Sequence, residues 1–130
     1  MRPDWLRHLL AMLFLIPLLA STAWAQRDND DFVLAAANDQ VDRVRAMLAR
    51  GVGPDVVNAL GETALAAAAR EGNAATLDVL LAAHAEVDAR TRFGDTALSL
   101  AALGGHLPIV KRLRSAGAKV VLDIDFRPDQ

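Results

Sequence analysis

Hydrophobic and polar positions along this chain fall into two regimes. The first is an apolar run from Leu9 to Ala20, interrupted by Pro17 and preceded by Arg2 and Arg7. It ends in Ser21-Thr22-Ala23-Trp24-Ala25 and gives way at once to Gln26-Arg27-Asp28-Asn29-Asp30-Asp31. A charged start, a short apolar centre and an Ala-x-Ala exit are the three parts of a secretory leader. The run is shorter than the roughly 20 apolar residues a bilayer-spanning helix needs. Residues 1–25 are therefore expected to be a signal peptide cleaved after Ala25. Retention of the leader as an uncleaved anchor is the alternative.

The second regime repeats every 33 residues. Gly61-Glu62-Thr63-Ala64-Leu65 recurs as Gly94-Asp95-Thr96-Ala97-Leu98, and the register holds through Leu77 and Val110, Leu80 and Leu113, and Ala85 and Ala118. One period earlier, Leu34-Ala35-Ala36 aligns with Ala67-Ala68-Ala69, and Met47-Leu48 with Leu80-Leu81. A fixed period of this length marks a stacked repeat architecture. Each unit predicts two short antiparallel helices and an extended excursion. In the second unit these run from about Thr63 to Glu71 and from Ala74 to Ala83, with Gly72-Asn73 between and Asn73 as a candidate cap. In the third they run from Thr96 to Gly104 and from Pro108 to Ser115. Pro108 falls in the first turn, where a missing N–H costs nothing. Gly51 and Gly117 are placed to end the second helices in the left-handed conformation, with His84 at that position in unit two.

These motifs resemble the ankyrin repeat family, from Asp28 to about Val120. The resemblance implies an all-α fold, an ankyrin-type α-solenoid of about three helix-turn-helix repeats (about 28–60, 61–93 and 94–120) with short β-hairpin connections. The family's Thr-Pro-Leu-His is replaced by Thr63-Ala64-Leu65-Ala66 and Thr96-Ala97-Leu98-Ser99, which predicts looser turns. Residues 26–120 form the repeat domain. Residues 121–130 read as a tail, with Leu122 to Phe126 alternating like a strand. Arg112 and Arg114 stand where unit two has Val79 and Leu81 and are expected to face outward as a terminal cap. A chain cut short before a fourth unit is the alternative.

Composition sharpens this picture. Alanine supplies 26 of 130 residues and aromatics only 5%, so the core is to be filled by methyl groups on closely approaching helices. Cysteine is absent, which excludes disulfides, thiolate metal sites and a cysteine nucleophile. The net charge is −2. Loss of Arg2, Arg7 and Asp4 with the leader leaves 12 basic and 15 acidic residues, net −3, so no nucleic-acid partner is expected. The basic run Lys111-Arg112-Leu113-Arg114 reads as a solvated end of the last unit.

A search for chemistry leaves no catalytic or cofactor set. After the leader there are two histidines, His84 and His106, and two serines, Ser99 and Ser115, at separate repeat positions. No metal-ligand spacing occurs, Asp123-x-Asp125 reads as a solvated tail, and Gly51-Val52-Gly53-Pro54 lacks the lysine of a phosphate loop. No catalytic residue, cofactor or metal is expected.

What remains is a surface. The resemblance implies that hairpin tips and first helices line a concave face that binds another protein. Carried onto this chain, that face holds Asn38 in unit one, followed by Leu60, Glu62, Arg70 and Glu71. In unit three it continues through Arg92, Phe93, Asp95 and Leu103. Leu60 and Phe93 either project as apolar anchors or fold back on the neighbouring hairpin; Leu103 is a third large apolar group with no role in the repeat plan. The expected protein is a monomer, periplasmic or secreted, that inserts in no membrane once the leader is removed. It serves as an accessory subunit of an exported enzyme or, alternatively, as an inhibitor or immunity-type protein blocking a toxin or hydrolase.

Overall fold

The computed structural model describes residues 4–120, with backbone alone over 9–21. Its six described helices are α1 (Asp4–Ala37), α2 (Val41–Ala49), α3 (Ala64–Glu71), α4 (Ala74–Ala82), α5 (Ala97–Leu103) and α6 (Leu107–Ser115). The inner row is α1–α3–α5 and the outer row α2–α4–α6, each helix touching its predecessor in the row and its partner in the hairpin. The three-unit helical solenoid read from the 33-residue period is the observed fold.

Alanine explains the closeness of the inner row. Ala64, Ala66, Ala67, Ala68 and Ala69 of α3 are all buried, on faces that meet α1 and α5 as well as α4. Methyl groups let three backbones approach, whereas larger residues at those sites would hold them apart. Phe32, Leu65, Leu77, Leu80, Ile109 and Leu113 fill the wider gaps between the rows. Each such side chain contributes roughly 1.5–3 kcal/mol by leaving water.

The helix ends follow local chemistry. The Thr63 hydroxyl accepts the Ala66 N–H at 3.1 Å. Thr96 and Ser99 form a reciprocal capping box, with backbone-to-hydroxyl bonds of 3.0 and 3.2 Å. Gly51 and Gly117 take φ of 99° and 97°, and His84 takes 62°, as the register requires. Isolated antiparallel bridges Val57–Thr63 and Arg90–Thr96 close the hairpins.

Four features differ from the sequence reading. The turns are not loose. Asn58 Oδ1 accepts the N–H groups of Leu60 and Glu62, and Thr91 Oγ1 those of Phe93 and Asp95, so each hairpin is tied from within. Asn73 does not cap α4; it donates instead to the Ala36 and Ala37 carbonyls at the end of α1, 2.9 and 2.8 Å away. Arg112 does not face outward. It turns back onto unit two, donating to Asp78 Oδ2 at 2.7 Å and the Ala74 carbonyl at 3.0 Å, where a carboxylate and a backbone carbonyl give the guanidinium two acceptors; Arg114 is exposed. Finally, α1 runs unbroken through the expected cleavage point, since Thr22 to Asp31 contains no glycine or proline to stop it. Residues 22–28 of that helix are exposed, and its burial in the array begins with Phe32 and Val33. Among the described residues no helix is long and apolar enough to cross a membrane. The tail, 121–130, lies outside the described residues.

Candidate protein-binding face

Units are joined by polar rungs that hold the concave face in shape. His106, one period after Asn73, places Nε2 2.9 Å from the Arg70 carbonyl, itself one period after Ala37. That carbonyl can only accept, so Nε2 carries the proton. The ring is slotted between two glycines: a Cβ on Gly72 would lie 2.7 Å from Nδ1, and one on Gly104 2.6 Å from Cδ2. The Asp55 carboxylate accepts the Glu86 N–H at 2.7 Å, and Asp88 accepts that of Lys119 at 2.9 Å. His84 and His106 thus have structural places, and Ser99 is engaged in its capping box.

On this frame Leu60 and Phe93, equivalent residues at successive hairpin tips, are 65% and 83% exposed. Neither folds back. Leu103 at the end of α5 is 81% exposed. Two neighbouring clefts run between the tips and the inner helices. One, of ≈ 340 Å³, is lined by Asp30, Val33, Leu34, Ala37, Asn58, Ala59, Leu60, Glu62 and Arg70. The second, of ≈ 120 Å³, is lined by Leu60, Glu62, Arg70, Thr91, Phe93, Asp95 and Leu100. Leu60, Glu62 and Arg70 border both. Both clefts are open to solvent, and the second is smaller than the roughly 300–1,000 Å³ of small-molecule sites; its size suits a single protruding side chain.

The expected contact residues are not equivalent. Glu62 is a correction: it is only 9% exposed and ion-paired to Arg70, because the hairpin folds it under the arginine. It supports the face without being free to bind. Arg70 also pairs with Glu71 at 3.0 Å and remains half-exposed. Arg92 is exposed but reaches back 3.3 Å to the Ala59 carbonyl across the unit boundary. Asp95 is half-buried, and Asn38 is exposed at the end of α1. Sequence reasoning missed Leu34, 56% exposed in the first cleft. The signal was present: its equivalent in unit two is the fully buried Ala67, so a leucine there exceeds what packing needs.

Charge is segregated across the two rows. The residues lining the two clefts include carboxylates Asp30, Glu62 and Asp95 against one guanidinium, Arg70. The outer helices carry Arg43, Arg45, Lys111, Arg112 and Arg114 against Asp42 and Asp78. Among the described residues no cluster of His, Cys, Asp or Glu could hold a metal ion.

No curated protein matches the chain. The family model for ankyrin repeats, in three copies, matches residues 32–123, the span over which the 33-residue register and the paired helices run. Repeats of this kind are typically non-enzymatic modules that bind other proteins, which accords with a frame of rungs and caps presenting open apolar notches. The chain belongs to the ankyrin repeat family.

Proposed function

We propose that the chain is an exported, monomeric binding protein of the cell envelope. It engages another protein through the concave face and serves an exported enzyme as an accessory subunit. One observation carries the binding reading: Leu34, Leu60, Phe93 and Leu103 expose large apolar surface where stacking requires none. A buried aromatic side chain removes roughly 150–250 Å² from water, so Phe93 is the natural anchor. The rungs fix the tips before binding, which keeps the ordering cost low.

Export rests on the leader. Cleavage after Ala25 would leave the remainder of α1 starting at Gln26, with Asp28, Asp30 and Asp31 in its first two turns. Carboxylates are stabilising at that end of a helix, and residues 22–28, on both sides of the cut, are exposed. N-terminal sequencing of the protein from fractionated cells should begin at Gln26 in the exported fraction. A start at Met1 in the membrane fraction would replace this with the anchored alternative.

Capture from periplasmic extract followed by mass spectrometry tests the binding reading. Phe93→Ala should fold normally and weaken capture of the partner by about 1–3 kcal/mol; unchanged affinity in the folded variant removes this face from consideration. Adding the purified chain to a captured enzyme should raise its activity or lifetime, whereas abolished activity would favour the inhibitor reading.

A further inference from the structure

Units two and three differ at one pair of positions in a way that specifies the partner. Glu62 and Asp95 are equivalent, as are Arg70 and Leu103, each one period apart. In unit two the carboxylate is covered by the arginine eight residues later. Unit three keeps the carboxylate and replaces the arginine by leucine. Asp95 consequently has no ion-pair partner among the described residues, although it lines the second cleft beside Phe93 and Leu60. Of the nearby cations, Arg70 pairs with Glu62 and Glu71, Arg92 reaches the Ala59 carbonyl, and Arg90 the Gly94 carbonyl at 3.2 Å, while Lys119 lines a separate cleft that Asp95 also borders and forms no ion pair with it.

We propose that the partner supplies the missing cation. The second cleft takes an arginine or lysine flanked by apolar residues, its head group on the Asp95 carboxylate and its stem between Leu60 and Phe93. The proposal rests on the binding reading above and names the chemistry of what that face takes. Three features favour such a segment. The carboxylate has no ion-pair partner among the described residues, and Leu60, Phe93 and Leu100 give the cleft apolar wall beside Thr91 and the paired Glu62 and Arg70. The exposed Phe93 ring offers a face to a guanidinium, an attraction strengthened when both leave water. The balance of three carboxylates to one guanidinium lining the clefts, with cations on the outer helices, also turns the concave face towards an incoming basic segment.

The probe is a labelled synthetic peptide with a single arginine between leucines, compared with the same peptide carrying neutral citrulline. Fluorescence anisotropy on the full chain reads both. Wild type should prefer the arginine peptide by about tenfold, the sum of an exposed ion pair and a cation–π contact. Asp95→Asn should cut that preference to about threefold, the share the Phe93 ring supplies. Leu103→Arg should do the same by rebuilding unit two's internal pair in unit three, and the fold tolerates the exchange because Leu103 is exposed. Asp42→Asn, the same charge change on the outer row, should leave the preference intact. A preference left undiminished in folded Asp95→Asn, or wild type that binds both peptides equally or neither up to about 1 mM, overturns the proposal. If Phe93→Ala still weakens partner capture in that case, the face stands and only the cation falls.

Discussion

Units two and three carry nearly the same motif and have different fates. Ala69 of α3 is fully buried, while its equivalent Ala102 of α5 is exposed. The residue is unchanged; the difference is that α3 lies between α1 and α5, and α5 meets only α3 in the inner row. The polar positions diverge too, with Glu62 under Arg70 and Asp95 beside Leu103. Unit two spends its side chains on its neighbours, and unit three presents them. In a stacked array, burial is a property of the seam between units more than of the repeat itself.

The largest effect should come from overfilling the seam. Ala69→Leu would force α3 away from its neighbours and cost about 3 kcal/mol, with Ala102→Leu within about 0.5 kcal/mol of wild type. Urea denaturation of the pair measures both, and equal losses would break the contrast. Next is Gly72→Ala, where φ is 79° and the new methyl would strike the His106 ring. A loss of about 1–3 kcal/mol is expected, partly restored by adding His106→Ala; additivity of the two changes would deny the contact. Arg70→Ala should cost about 1–2 kcal/mol, because it strands a carboxylate that is nine-tenths buried while the arginine itself is half-exposed. Leu103→Ala at the equivalent site should leave the unfolding midpoint almost unchanged and register only in partner binding.

Much of this was legible from spacing. The period located the helices, the left-handed sites at Gly51, His84 and Gly117, and the starts of the first helices near Thr63 and Thr96, because each depends on residues within a few positions. Contacts a full unit away were not. Asn73 is a good local cap, yet its side-chain amide is turned across the unit boundary to donate to the Ala36 and Ala37 carbonyls at the end of α1. Arg112 looked like an outward charge until Asp78 was seen across the seam. Glu62 gave no sign of burial, since its cover comes from a residue eight positions on that the hairpin folds above it. The exposure of Leu60 was undecided for the same reason: only the path of the neighbouring hairpin settles which way the tip points.

The rungs carry a mechanical consequence. Among the described residues every inter-unit hydrogen bond spans a single boundary: Asp55 to Glu86, Asn73 to Ala36 and Ala37, Arg92 to Ala59, and Thr76 to Asp39 at 2.7 Å on one side. Asp88 to Lys119, His106 to Arg70 and Arg112 to Asp78 lie on the other. Among the described residues no bond of this kind reaches from the first unit to the third. Tension applied to the two ends is therefore carried by two joints in series, and the array would part at whichever is weaker, leaving two units still clasped together.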